Sequence, residues 1–72
     1  MSTSKPYLPA IASNLTALRA ILASILEMVT YGVQDAEAGN QNGAAGSVIL
    51  IENQLKDAGI IAQAVIALHR QS

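Results

Sequence analysis

The chain has 72 residues, no cysteine, 51% apolar and only 12% charged residues, and a formal net charge of −1. One domain at most fits this length, and its core contributes only about 3–5 kcal/mol unless a disulfide, a metal or a second chain adds to it. Disulfides and thiolate metal ligands are excluded, and the four basic residues form no stripe of the kind that nucleic acid binding needs. We therefore expect no metal, no cofactor and no nucleic acid partner, and we expect oligomerisation to supply the missing stability.

The first segment, residues 1–8, carries no periodic apolar pattern and is predicted to be a flexible tail. A helix over 9–37 follows. Pro9 suits a first turn, where its missing N–H has no intrahelical partner, and Ser13 is an alternative N-cap.

Within helix 9–37 the apolar residues alternate in steps of four and three, which is the a/d pattern of a heptad. They are Ile11, Leu15, Leu18, Leu22, Ile25 and Val29. Ile21, Leu26, Met28 and Val33 lie beside this stripe and widen it beyond what one partner helix covers.

The segment 38–46 contains three glycines, two asparagines and no large apolar side chain, and it is predicted to be the turn between two helices. Gly39 suits the position just after the first helix, where glycine adopts a left-handed conformation without steric penalty. Asn40, Asn42 and Ser47 are all candidate caps for the second helix.

A second helix is predicted over 47–70, with the stripe Val48, Ile51, Leu55, Ala58, Ala62 and Val65, and with His69 at the next position. The fold class is therefore all-α: an antiparallel hairpin of residues 9–72 that dimerises into a four-helix bundle. Within the hairpin we expect Leu15, Leu18, Leu22, Ile25 and Val29 to pack against Val48, Ile51, Leu55, Ala62 and Val65. The predicted dimer interface is Ile21, Leu26, Met28, Val33, Ile61 and Leu68.

Small residues in the second helix allow two interpretations. Ala58 and Ala62 are either good helix formers or contact points for another helix. Gly59 favours close packing, because a glycine inside a helix costs about 1 kcal/mol.

No catalytic constellation is visible, since nucleophilic catalysis needs a hydroxyl or thiol beside an oriented base. His69 falls in the last helical turn, where a cation interacts well with the helix dipole. We therefore expect a protein that is not an enzyme.

The outer face of the first helix is almost uncharged, which is either a benign surface of small residues or a docking surface for another protein. On the docking interpretation Tyr31 is an anchor of the type enriched at interfaces, and Ile49 and Ile60 are further partner-binding candidates. A membrane location is disfavoured, because the longest strongly apolar uncharged run, Ala58 to Leu68, is 11 residues, against about 20 for a spanning helix. We expect a cytoplasmic protein.

The long aliphatic first helix, the glycine-containing turn and the run from Ser47 to Leu55 leading to Ala58 and Gly59 resemble small proteobacterial and phage two-helix proteins of unknown function. The resemblance covers about residues 10 to 70. A related resemblance is to phage quorum-sensing anti-activators, whose helical hairpins dimerise and bind host regulators. It implies a small regulator or inhibitor of phage or mobile-element origin that binds itself and a second protein. The alternatives are a purely self-assembling bundle, as dimer or tetramer, and a membrane-associated hairpin.

Overall fold

The computed structural model describes residues 6–71 and contains two long helices packed against each other. Helix α1 spans Leu8–Glu37 and helix α2 spans Gln41–Gln71. A turn of only three residues joins them, so they run antiparallel side by side, each about 45 Å long at a rise of about 1.5 Å per residue. The predicted all-α hairpin is confirmed, whereas the pairing of two hairpins into a four-helix bundle stays a prediction.

Helix α1 begins at Leu8, one residue before the predicted start, so the last residue of the expected tail is helical. Tyr7 is the N-cap residue and makes no side-chain capping bond; its carbonyl accepts from the amide of Ile11 at 2.9 Å. Pro9 lies in the first turn, as predicted, and Ser13 lies well inside the helix and does not cap it. Residues 1–5 of the predicted tail lie outside the described residues.

The end of α1 is a Schellman motif. Gly39 has a φ of +79°, and its amide donates to the carbonyl of Ala36 at 3.0 Å. The next amide, that of Asn40, donates to the carbonyl of Asp35 at 2.8 Å. This pair of bonds satisfies carbonyls that the last helical turn leaves open. The predicted role of Gly39 is confirmed.

Helix α2 begins at Gln41 and not at 47, so the predicted turn over 38–46 is too long. The side chain of Asn40 decides this early start: its Oδ1 accepts from the amide of Gly43 at 2.9 Å, which is N-cap geometry. Asn42 and Ser47, the other two candidate caps, lie inside the helix. Gly43 and Gly46, which suggested a loop, lie within the helix. The N-cap and the packing against α1 outweigh the low helix propensity of glycine.

The contact between the helices follows a regular three-and-four spacing on both sides. We name its members the intrachain seam. On α1 they are Ile11, Asn14, Leu18, Ile21, Ile25, Met28, Gly32 and Asp35, and on α2 they are Ala44, Ser47, Ile51, Gln54, Ala58, Ile61, Val65 and Leu68, all buried or half-buried. Their spacing is that of a and d positions in a heptad.

The predicted helix–helix contact is only half correct. Leu18, Ile25, Ile51 and Val65 belong to the intrachain seam, and Ala62 is half-buried beside it. Five other residues that we expected there are exposed instead: Leu15, Leu22, Val29, Val48 and Leu55. Each helix is therefore rotated about its own axis relative to the prediction. At each of these five positions, the residue directly before the exposed one belongs to the intrachain seam. Small and polar residues, such as Gly32 and Ser47, occupy the closest part of the seam. A pattern of apolar residues does not show that small or polar residues lie at contact positions.

The hairpin has a very small core. Among the described residues, Ile51 and Ala58 are the buried apolar side chains, and Ile51 is 3% exposed. Ser47 is also buried, and its hydroxyl donates to the carbonyl of Ala44 at 2.7 Å. No buried polar side-chain atom of the described residues lacks a hydrogen-bond partner. Two buried apolar side chains are far fewer than an independent domain of this length needs.

Candidate interaction surfaces

One long side of the hairpin carries a band of exposed apolar side chains. Both helices are right-handed and run in opposite directions, so the residue that follows a seam residue turns toward the same side on each helix. Leu22 follows Ile21, and Leu55 follows Gln54. We name this band the apolar face. Its large side chains are Leu8, Leu15, Leu22, Leu26, Val29 and Val33 on α1, and Val48, Leu55 and Ile66 on α2.

The spacing of the apolar face shows that it is a second seam. Along α1 its members at 15, 22, 26, 29 and 33 again step by seven, four or three residues, and Ala12 and Ala36 fall on the same pattern. Helix α1 therefore has one heptad stripe that packs on α2 and a second that packs on nothing within the hairpin. Arg19 on α1 and Glu52 on α2 are charged residues within the apolar face. A helix with two such stripes is typical of the interior of a bundle.

The predicted dimer-interface residues divide into two groups. Ile21, Met28, Ile61 and Leu68 are half-buried in the intrachain seam, so the hairpin itself already uses them. Leu26 and Val33 lie on the apolar face and are exposed.

Sequence reasoning did not assign Leu15, Leu22, Val29, Val48 and Leu55 to an outer surface, because it had placed them between the two helices. Their strict seven-residue spacing, parallel to that of the half-buried residues, is the signal that could have separated the two stripes.

The predicted partner-binding residues lie away from the apolar face. Ile49 is 75% exposed on the outer side of α2, and Ile60 is also exposed there, about three turns further along. Tyr31 is exposed on α1, on the side opposite the apolar face. Leu50, which the sequence analysis did not single out, is exposed on that same side of α2. We name these four residues the outer patch.

Two threonine hydroxyls of α1 hydrogen-bond to carbonyls of the same helix. The hydroxyl of Thr16 donates to the carbonyl of Ala12 at 3.0 Å, and that of Thr30 donates to the carbonyl of Leu26 at 2.7 Å. A side-chain hydrogen bond joins the two helices, in which Gln54 Nε2 donates to Ser24 Oγ at 3.0 Å. Because these hydroxyls are satisfied within the chain, the surface of α1 is less hydrated than its composition suggests.

The described residues contain no group of three or more His, Cys, Asp or Glu side chains that could hold a metal ion. His69 lies in the last turn of α2 beside Arg70, at the end of the helix where the dipole favours positive charge. Within the described residues α1, and not α2, is long and apolar enough to cross a membrane by length and composition. Arg19 and Glu27 interrupt it.

Comparisons with protein-family models, with curated proteins and with solved structures found no match to this chain. The fold and its surface define the class: a helical hairpin with one unpartnered apolar face.

Proposed function

We propose that this chain is a non-enzymatic helical protein that acts in the cytoplasm as a homodimeric four-helix bundle and modulates another protein by binding it. The apolar face is the observation that carries the proposal. It runs from Leu8 near one end of the hairpin to Val33 and Val48 near the turn. A surface of this length and composition is rare on a free soluble monomer, where large contiguous apolar patches mark interaction sites.

The surface area of the hairpin supports a second chain as the first partner. The hairpin exposes 5340 Å². A compact monomer of 7.5 kDa exposes about 4,200 Å² by the scaling of area with mass. The excess of about 1,100 Å² is somewhat larger than the area of about 800 Å² that each partner buries in a standard interface. One additional hairpin on the apolar face therefore brings the exposed surface per chain into the normal range.

The outer patch supports the second half of the proposal. Tyr31, Leu50, Ile49 and Ile60 lie outside the apolar face, so a dimer that covers that face leaves all four exposed. Tyrosine and large aliphatic side chains are common anchors of protein–protein contacts. A regulator of this type needs one surface for itself and a separate one for its target, and the hairpin offers both.

The dimer is tested by replacing Leu22, at the centre of the apolar face, with lysine, and by measuring the mass with light scattering and sedimentation. We expect wild type to be a dimer and Leu22→Lys to be a monomer at the same concentration. The matched control is Ile60→Lys, which adds the same charge outside the apolar face and is expected to stay dimeric. A monomeric wild type, or a dimer that persists in Leu22→Lys, would contradict the proposal.

The modulator role is tested with a variant that changes the outer patch and keeps the dimer. The double variant Ile49→Glu and Ile60→Glu is expected to retain the dimer mass and to lose a partner that the wild-type protein captures from its native host. If the captured set is the same for the variant and the wild type, the outer patch has no role. If deep capture recovers only the protein itself, the alternative of a purely self-assembling bundle is favoured.

A second candidate, a membrane-associated hairpin, is motivated by the length and apolarity of α1. Its apolar face would then lie against lipid and not against a second copy. Flotation with liposomes of neutral and of anionic composition separates the two candidates. The dimer proposal predicts that the protein stays in the unbound fraction with both lipids, because the apolar face is covered.

A further inference from the structure

The hairpin leaves a large share of its surface in water. An unfolded chain of 7.5 kDa exposes about 10,900 Å² by the scaling of area with mass. The folded hairpin still exposes 5340 Å². Folding of one chain therefore buries only about half of the unfolded surface, whereas a marginally stable domain of about 60 residues buries about 60%. The isolated hairpin lies below that marginal range.

The shape of the hairpin explains this low burial. The Cα atoms extend over 61 × 15 × 11 Å, so α1 and α2 form a single layer in which each helix packs on one neighbour. Only the intrachain seam is covered, at about two of every seven helical positions. Among the described residues, Ile51 and Ala58 are the apolar side chains that become buried. The contact between α1 and α2 is therefore too narrow to stabilise both helices by itself.

Helix α2 depends strongly on packing. It contains Gly43, Gly46 and Gly59, and glycine is the least favourable helical residue after proline. In proteins, most helical stability comes from the packing of an apolar face and not from propensity. We therefore expect α2 to unwind when its packing is weakened, and α1 then loses the helix that covers its seam.

A second copy on the apolar face supplies the missing burial. Obligate homodimers bury about 1,000–2,500 Å² of each chain. An interface in this range raises the buried share of the hairpin to about 60–75% of its unfolded surface, as in stable domains of about 60–300 residues. The contact that forms the dimer is therefore also the contact that the folded chain requires.

The outer patch is built from both helices. Tyr31 of α1 directly precedes Gly32, and Leu50 of α2 directly precedes Ile51; Gly32 and Ile51 both belong to the intrachain seam. Residues that precede seam residues turn toward the same side on each helix, so Tyr31 and Leu50 share one side of the hairpin. Because Gly32 lies against Ser47, they are also within about one helical turn of each other along the axis. Neither helix alone presents both side chains.

We propose that folding and dimerisation are a single equilibrium, so that the outer patch forms in the dimer and is absent from the free chain. This inference rests on the proposed function and adds a mode of regulation to it. The concentration of the chain sets the fraction of protein that is able to bind its target. A target that binds only the dimer stabilises the dimer in turn, because the two equilibria are linked.

The coupling is tested by unfolding the protein in urea at several protein concentrations. Helix content by circular dichroism and mass by sedimentation are expected to fall at the same urea concentration. Because one dimer unfolds to two chains, each tenfold rise in protein concentration should raise the midpoint by about 0.5–1.4 M. A dimer whose mass falls before its helix content, or whose midpoint is independent of concentration, overturns the coupling and leaves the dimer intact. A helical monomer at every concentration overturns both.

The variant Leu22→Lys separates a coupled dimer from a dimer of stable hairpins. Leu22 lies on the apolar face outside the intrachain seam, and lysine is about as good a helix former as leucine, so a self-sufficient hairpin tolerates this change. We expect Leu22→Lys to lose most of its helix content together with the dimer mass. The matched control, Ile60→Lys, is expected to keep both. A Leu22→Lys monomer with the helix content of wild type overturns the coupling.

Hydrogen exchange tests the outer patch directly. Tyr31 and Leu50 lie within α1 and α2, and the slowest-exchanging amides near them should exchange through global unfolding of the dimer. The unfolded fraction in such an equilibrium falls with the square root of concentration, so exchange should slow about threefold for each tenfold rise in protein concentration. Exchange rates that do not change with concentration in either segment would show that the patch persists in a folded monomer and would overturn the proposal.

Discussion

Gly32 of α1 and Ser47 of α2 lie in direct contact at the turn end of the hairpin, and both are buried. A Cβ at position 32 would overlap the Ser47 hydroxyl and would lie 3.1 Å from the Ser47 Cβ. The hydroxyl is held in place by its bond to the Ala44 carbonyl, so it cannot move aside without losing an acceptor. This contact sets both the distance between the helices and their axial alignment.

Gly32→Ala is expected to lower the free energy of unfolding by about 1–3 kcal/mol, because the new methyl group overpacks the contact with Ser47. Helix propensity alone would favour alanine by about 1 kcal/mol. A decrease in the free energy of unfolding therefore indicates the contact with Ser47, whereas an increase indicates propensity alone. Urea unfolding followed by circular dichroism at fixed protein concentration measures it. The double variant Gly32→Ala and Ser47→Ala should recover part of the loss, and a stabilised Gly32→Ala protein would contradict the contact.

Asn40→Ala is expected to lower the free energy of unfolding by about 0.5–2 kcal/mol, because it removes the acceptor that caps the amide of Gly43. The matched control is Asn42→Ala, two residues further on. Asn42 lies within α2, where alanine is the better helix former, so that change should be neutral or slightly stabilising. Thermal unfolding of the two variants compares them. Equal effects would mean that Asn40 does not act as the cap.

Gly39→Ala should destabilise the hairpin by about 1–2 kcal/mol through backbone strain alone, because a residue with a Cβ rarely adopts a positive φ. No atom lies within 4 Å of a Cβ built at Gly39, so a steric overlap does not contribute. Gly46→Ala, at a helical position that is equally open, is expected to gain up to about 1 kcal/mol. Unfolding curves with opposite shifts for the two variants would confirm the Schellman turn, and shifts of the same sign would count against it.

Ile51→Ala is expected to cost about 2–5 kcal/mol, because this side chain is the most deeply buried apolar one among the described residues. Ile49→Ala removes the same atoms two residues earlier on the exposed side of α2 and should change the free energy of unfolding by less than about 0.5 kcal/mol. Chemical denaturation of both variants tests the orientation of α2. A large effect at Ile49 would show that α2 is rotated or that another chain covers the outer patch.

Much of the fold follows from local sequence signals. The heptad spacing predicted both long helices, and Pro9 and Gly39 marked the start of one and its end, because first-turn proline and left-handed glycine act on their own neighbours. The length of the turn was overestimated. The sequence contains several possible caps besides Asn40, so it does not show where the second helix begins. The glycines after Asn40 are helical because α2 packs against α1 there, and the sequence pattern does not contain that information.

The interaction surfaces were less predictable. Leu22 and Leu55 were expected between the two helices of one hairpin, whereas Met28 and Ile61 were expected to face a second hairpin. In the structure Met28 and Ile61 lie in the intrachain seam, whereas Leu22 and Leu55 are exposed, because each helix carries two adjacent stripes with the same spacing. Both stripes satisfy the same periodicity, so the pattern cannot decide which of them packs within the chain.

By itself, the sequence determined the number of helices, their antiparallel order and the presence of more apolar surface than one hairpin can bury. These properties depend on composition, on periodicity and on interactions between residues close in the chain. Only the tertiary structure decided which stripe became the intrachain seam and which became the apolar face. The physical reason is the close approach at Gly32 and Ser47, a contact between residues on different helices whose fit depends on shape and not on hydrophobicity.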